Sequence, residues 1–320
     1  MKFIGVDLGG TNIKGGIVDG DEVLVKDEIK TGKEQGAEKV IDNIAEIIKR
    51  MLFQSGLRLS DIAAIGAGLP GMIDSLRGMV LYSNNLRWVK VDFVKSLQVR
   101  LGGPVPIFIS NDANVAALGE AAFGAARAFP DSLLITLGTG VGGGVIIGGK
   151  IFEGNMGAGA ELGHMVIKAG GCRCTCGRKG CFEAYSSATA LIKQTKKAML
   201  RDRNSQLWTI CGGNVDNVSG KTAFDCYYSD ETAKKVVDKY IGYLAEGLSN
   251  LANIFRPQAI ILGGGISKQG QLLIDLLKEP FESGLFGTVL GPRVELKIAE
   301  LKNDAGFLGA CALARQRLGQ

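Results

Sequence analysis

The single histidine of the chain, His164, is followed closely by Cys172, Cys174, Cys176 and Cys181. Thiolates and an imidazole drawn together in this way make a closed, four-coordinate zinc site of the structural kind. A lone cysteine or histidine is more often a core residue, but a cluster this tight points to metal ligation. The loop is short, and Gly177 and Gly180 give it the freedom to wrap around an ion. The count leaves one thiol over: His164, Cys174, Cys176 and Cys181 are the expected ligands, with Cys172 as a possible competitor.

Two further segments carry chemistry. Asp7-Leu8-Gly9-Gly10-Thr11-Asn12-Ile13-Lys14 joins two short apolar runs. Bare glycines allow the main chain to approach a polyphosphate so that its N–H groups face the oxygens. Thr11 adds a hydroxyl donor and Lys14 a positive charge, while Asp7 could hold Mg²⁺ through water. A plain glycine-rich hairpin is the bland alternative. The second segment is Asn111-Asp112, where a strand gives way to a helix. Asp112 there is either an N-cap or a general base at the C-terminal edge of a strand, where α/β folds bind ligands.

These segments need a scaffold, and the composition supplies one. The 320 residues are 46% hydrophobic and 22% charged, ordinary values for a globular chain long enough for two domains. Charge is dispersed and the net value is only +5, which gives no sign of nucleic-acid binding. No secretory signal and no apolar run of membrane-spanning length is visible, so the cytoplasm is expected, with no membrane partner. Glycine is abundant, 47 residues, and concentrated in loops beside apolar runs.

Strands are expected near Phe3–Val6, Gly15–Val18, Glu22–Val25, Asp61–Ala67, Val105–Ile109, Ser132–Leu137, Val145–Ile147 and Ala259–Leu262. Helices are expected over Ala37–Met51, Ala113–Ala128, Ala188–Leu200, Thr232–Phe255 and Gly306–Leu318. LGGTNIKGGIVDG at Leu8–Gly20 is echoed by LGTGVGGGVIIGG at Leu137–Gly149. The constant offset suggests a duplicated lobe. Two G-x-G-x-x-G matches, at Gly66–Gly71 and Gly138–Gly143, run into extended sequence rather than a helix, which argues against a nicotinamide-binding fold. Ser219-Gly220-Lys221-Thr222 lacks the first glycine of a P-loop.

DLGGTNIK, LGTGVGGG and ILGGGIS resemble the two phosphate hairpins and the adenosine loop of actin-like sugar kinases. More narrowly, the chain resembles the ROK family, through GLPGMID (Gly68–Asp74), NDANVAALGE (Asn111–Glu120), ELGHM (Glu161–Met165), CTCGRKGCFE (Cys174–Glu183) and NDAGFLGA (Asn303–Ala310). The resemblance implies an α/β, actin-like ATPase (ribonuclease H-like) fold, duplicated and two-lobed with a cleft between the lobes. The expected small lobe is 1–113 plus 304–320, and the large lobe, carrying the zinc knot, is 114–303. ATP would sit on Asp7, Gly9, Gly10, Thr11, Asn12, Lys14, Gly138, Thr139, Gly140, Gly264 and Gly265, with Mg²⁺.

In the resembling kinases the aspartate at the place of Asp112 is the catalytic base, and that of Asn111 binds the sugar. The resemblance also assigns Glu161, His164 and Glu183 to the sugar, with Gly71 and Asn85 as further contacts, and gives Cys174, Cys176 and Cys181 as the zinc thiolates. Asn85-Leu86-Arg87-Trp88 is similar to a segment of the family's glucokinases, which points to glucose. N-acetylmannosamine, N-acetylglucosamine and fructose are the alternative substrates. A sugar-sensing regulator is a different alternative. Regulators of the family carry a DNA-binding domain ahead of the first hairpin, for which the residues before Asp7 leave no room. A homodimer or dimer of dimers is implied as well.

Overall fold

The computed structural model describes residues 1–287 and 290–319. The chain begins with β1 (Lys2–Leu8), β2 (Asn12–Asp19), β3 (Glu22–Lys30), α1 (Ala37–Ser55) and β4 (Ile62–Leu69). A small antiparallel sheet follows, β5 (Met72–Asp74), β6 (Met79–Ser83) and β7 (Trp88–Val91), then α2 (Phe93–Leu101), β8 (Ile107–Asn111) and α3 (Asp112–Phe123). The second pass runs through β9 (Ser132–Leu137), β10 (Val141–Ile147) and β11 (Lys150–Ile151) into the cysteine-bearing loops. It continues with α4 (Glu183–Ser186), α5 (Ala188–Arg201), α6 (Leu207–Ile210), α7 (Thr222–Asp225) and α8 (Glu231–Phe255). The chain closes with β12 (Ala259–Gly263), α9 (Gln271–Ser283), β13 (Glu295–Ile298) and α10 (Ala305–Arg317).

One five-stranded sheet has the order β3-β2-β1-β4-β8 and the other β11-β10-β9-β12-β13. In both, an antiparallel meander of three strands is extended by two strands that follow helices. The glycine repeat therefore marks a repeated topology, with β1 matching β9 and β2 matching β10.

The described chain forms two compact units. The first is Met1–Leu134, Gly144–Ala160 and the chain from Glu300 on, and the second is Ile135–Gly143 and Glu161–Ala299. The boundary expected at 113/114 would cut through α3. In the structure α3 packs on α10, and Gly119 and Gly309 allow their backbones to meet closely, so both helices stay with the first unit.

Side-chain alternation in β1 sets up the first unit. Ile4, Val6 and Leu8 enter a core with Ile41, Ile44 and Ile48 of α1, while Phe3 faces Phe307 and Cys311 of α10. Gly5 lies in register with Gly16 and Gly66, making a bare band across three strands. A Cβ on Gly5 would stand 1.9 Å from the Phe307 carbonyl oxygen, and one on Gly66 would stand 1.8 Å from that of Ala310. The band thus lets α10 lie directly on the sheet. Asp7 shares this parity, so its carboxyl is directed at the start of α10.

Helix α3 ends at Phe123, earlier than the alanine-rich run to Ala128 suggests. The cause is Glu120, which is 1% exposed. Its carboxylate accepts from the N–H groups of Ala125 (2.9 Å), Glu300 (3.2 Å) and Leu301 (2.9 Å). Turning the chain to present Ala125 stops the helix and ties it to the segment entering α10.

None of the described helices is long and apolar enough to cross a membrane.

Candidate active site

The first unit places Asp7 and the glycine loop at the end of β1, and Asp112 just past the end of β8, on either side of β4 in the same sheet. In the β1–β2 turn the Gly9 N–H donates to the Asn12 carbonyl (3.0 Å), and the Thr31 hydroxyl donates to that of Gly9 (2.7 Å). The two adjacent glycines differ in what they allow. A Cβ on Gly9 would come 2.8 Å from the Asn12 carbonyl oxygen, whereas one on Gly10 would meet nothing within 4 Å. Gly9 serves the turn itself, and Gly10 faces open space where an oxyanion could lie. Thr11 is exposed. Asn12 donates to Glu28 of β3, and Lys14 lies 3.9 Å from the same carboxylate. Glu28 carried no sequence signal, because only the meander brings it here.

Burial pushes the Asp7 carboxyl up to about 6, and the neighbouring Asp112 carboxylate adds to the rise while Lys14 opposes it. The carboxyl packs so closely on Gly306 that a Cβ there would stand 2.3 Å from Asp7 Oδ2. Two acidic groups that sense one another in this way are suited to a divalent cation.

Asn111, at the end of β8, is the N-cap of α3. Its Oδ1 accepts from the N–H groups of Ala113 (2.9 Å) and Asn114 (3.4 Å), while its Nδ2 donates to the Gly71 carbonyl (3.0 Å). The cap predicted for Asp112 is therefore supplied by its neighbour. Asp112 is the first helical residue, half-buried, and its Oδ1 accepts from Ala113 N–H (2.9 Å). Gly71 has φ 115°, and a Cβ there would sit 2.2 Å from the Tyr82 carbonyl oxygen. Gly71 thus pins the β8 end to the small sheet, whose β6–β7 turn carries the exposed Asn85. Ser110, just ahead of Asn111, donates to Glu153 (2.5 Å), which also pairs with Arg317.

In the second unit His164, Cys174, Cys176 and Cys181 converge, their ligand atoms all within 4.8 Å of one another. Cys176 and Cys181 Sγ are 3.7 Å apart, as are Cys174 Sγ and His164 Nδ1. A tetrahedron with metal–sulfur bonds of about 2.3 Å has sulfur–sulfur edges of about 3.8 Å, whereas a disulfide needs about 2.05 Å. The geometry suits a metal and excludes a bridge. Burial, with the neighbouring thiols, pushes the Cys181 thiol up to about 12, while the Arg178 backbone N–H holds Cys176 low. Cys172 stands outside the cluster, and its N–H donates to the Tyr185 hydroxyl (2.6 Å).

Around the knot, Glu161 is exposed one turn before His164. Glu183, the first residue of α4, is held at both oxygens: Oε1 accepts from the Thr175 hydroxyl (2.9 Å) and the Cys174 thiol (3.5 Å), and Oε2 from Val141 N–H (3.1 Å). Thr175 was not among the expected site residues, although its place between two cysteines of the cluster was a usable signal. In the β9–β10 turn a Cβ on Gly138 would meet nothing within 4 Å, like one on Gly10. The Thr139 carbonyl accepts from the Thr189 hydroxyl (2.8 Å). Gly264, with φ 84°, lies against the backbone of Leu137, and Gly265 follows it.

A repeated three-strand meander with a glycine turn, extended by strands that follow helices, defines the class: a two-lobed, actin-like ATPase fold of the sugar-kinase type. Comparison with known proteins is more specific. Residues 3–317 match the ROK family, and the chain belongs to it. It is similar to the glucokinases of Halalkalibacterium halodurans (37% identical, covering 98% of this chain and 95% of that one) and Thermotoga maritima (37%, 100% and 99%). Among solved structures it is similar to the ROK family glucokinase of Streptomyces griseus in complex with glucose and AMPPNP, at 35% identity and a TM-score of 0.80, covering 99% of this chain and 100% of that one.

Proposed function

We propose that the protein transfers a phosphoryl group from ATP to glucose, giving glucose 6-phosphate, with Asp112 as the general base. Glucose rests on the full-length likeness to glucokinases at 37% identity and to a glucose-bound structure. The observation that carries the base is local. Asp112 stands just past the C-terminal end of β8, beside the cap residue Asn111, and its carboxylate acts on that of Asp7.

In this reading Asp112 accepts the proton of the attacking hydroxyl as the bond to phosphorus forms, a contribution of about 10²–10⁴ in rate. Asn111 keeps one amide hydrogen beyond the bond to Gly71, which would hold the sugar beside the base. Glu161, His164, Glu183, Gly71 and Asn85 are assigned to the remaining hydroxyls. The Gly9–Lys14 and Gly138–Gly140 turns present N–H groups to the nucleotide phosphates, and the Gly264-Gly265 loop takes the adenosine. Asp7 would hold Mg²⁺ through water, and the cation neutralises charge on the transferring phosphoryl group.

Zinc fits the knot by donor set and spacing. All four ligands come from the protein, so the site is structural and keeps no place for a reacting water. The working form is proposed to be a homodimer in the cytoplasm, and light scattering would then give the mass of two 33.7 kDa chains.

A coupled assay over glucose, N-acetylmannosamine, N-acetylglucosamine and fructose tests the proposal. Glucose is expected to have the highest kcat/KM. A higher value for any other sugar would reassign the substrate, and no turnover with any would reject the kinase.

A further inference from the structure

Glu183 joins two features whose roles have so far been separate. One carboxylate oxygen is bonded to the knot, through Thr175 and Cys174, and the other to Val141, the first residue after the second glycine turn. The carboxylate approaches that turn closely, since a Cβ on Gly140 would stand 2.2 Å from Glu183 Oε2. Two more bonds reach the turn from the same segment: Ala188 N–H donates to the Gly138 carbonyl (2.8 Å), and the Thr189 hydroxyl to that of Thr139 (2.8 Å). Residues 183–189 therefore grip the turn at three points.

The segment is itself anchored. It begins two residues after Cys181. Phe182 is fully buried against Gly247 of α8, and the Tyr240 hydroxyl donates to the Ser186 carbonyl (2.7 Å). With a metal bound, the Cys174 sulfur is a thiolate and no longer donates a proton. Thr175 is then the knot's remaining donor to Glu183.

We infer that Glu183 is a positioning residue for the nucleotide: the Thr175–Glu183–Val141 bridge carries the shape of the metal knot to the second phosphate turn, so that the knot sets ATP affinity as well as sugar affinity. This rests on the reading of 138–140 as a phosphate turn.

The test is Thr175→Val in the full-length, zinc-loaded protein. Thr175 is exposed and the change keeps its shape. Affinity for a non-hydrolysable ATP analogue with Mg²⁺ is measured by calorimetry without sugar, and glucose affinity separately. Zinc content and melting temperature are measured alongside. Thr175 touches the turn only through Glu183, so only part of the worth of this hydroxyl–carboxylate bond should reach the nucleotide, weakening it about fivefold, with zinc retained and glucose affected less.

Unchanged nucleotide affinity overturns the inference, whether or not glucose affinity falls. Equal losses in both accompanied by a lower melting temperature also overturn it, because they show general loosening. Gly138→Val separates this from the underlying reading. If it leaves nucleotide affinity intact, the turn is not a phosphate site. If it abolishes binding while Thr175→Val changes nothing, only the bridge is wrong.

Discussion

Asp7→Asn should make the ligand-free protein more stable, and increasingly so as pH rises. Asp7 has its carboxyl raised from 3.8 to about 6, first by burial and then by Asp112. The folded state therefore binds this proton more tightly than the unfolded chain. Its stabilising effect is complete below 3.8 and is lost as pH rises through about 6. Over the whole window the loss is about 3 kcal/mol, since each pH unit between the two values is worth about 1.36 kcal/mol. Asparagine has nearly the same shape and never ionises. Between about pH 4.5 and about pH 8 the stability gap between variant and wild type should widen by about 2 kcal/mol. Denaturant titrations in EDTA, without nucleotide, measure this gap. Taking the difference between the two proteins cancels the other carboxylates that titrate in the same range. A gap that stays constant or narrows with pH would refute the assigned burial and the coupling to Asp112. The variant should also lose activity, as expected where a destabilised group serves function.

Gly10→Val should raise the ATP KM strongly while leaving folding intact, because its side chain enters open space in front of the turn; unchanged ATP kinetics would remove this turn from the phosphate site. Metal analysis should find close to one zinc per chain. Cys176→Ala should lose the metal, lower the melting temperature and weaken glucose binding, whereas full activity in a zinc-free, stably folded protein would contradict a structural zinc. Glu120→Ala should cost about 3–5 kcal/mol in urea unfolding, since it strands three N–H groups, two of them at the entry to α10; a loss below about 1 kcal/mol would show that solvent replaces the carboxylate.

What the sequence made legible was local or repeated. The four expected metal ligands lie within one short stretch, and the convergence of their donor atoms follows from a loop too tight to do otherwise. The glycine turns could be read because bare backbone is required wherever α10 or a ligand comes close, and the same requirement recurs in the second sheet.

What the sequence hides depends on distant partners. The β5–β7 sheet is made of strands of three to five residues, with Arg87 and Lys90 at positive φ, and it exists because Gly71 meets Tyr82 and Asn111. The end of α3 is set by Glu120 gripping chain nearly two hundred positions away. Asn111 and Asp112 are adjacent and both suited to capping, and only the bonds to Ala113, Asn114 and Gly71 separate them. Glu183 reads as a sugar ligand alone, since nothing in CTCGRKGCFE shows that its second oxygen reaches Val141.

The most direct test of the central claim is the turnover of Asp112→Asn with saturating glucose and ATP, in protein shown by calorimetry to bind both. The substitution keeps the shape and removes the proton acceptor. The kcat should fall by about 10²–10⁴ while both dissociation constants stay within a few-fold of wild type. A kcat near wild type in protein that binds both substrates would contradict it.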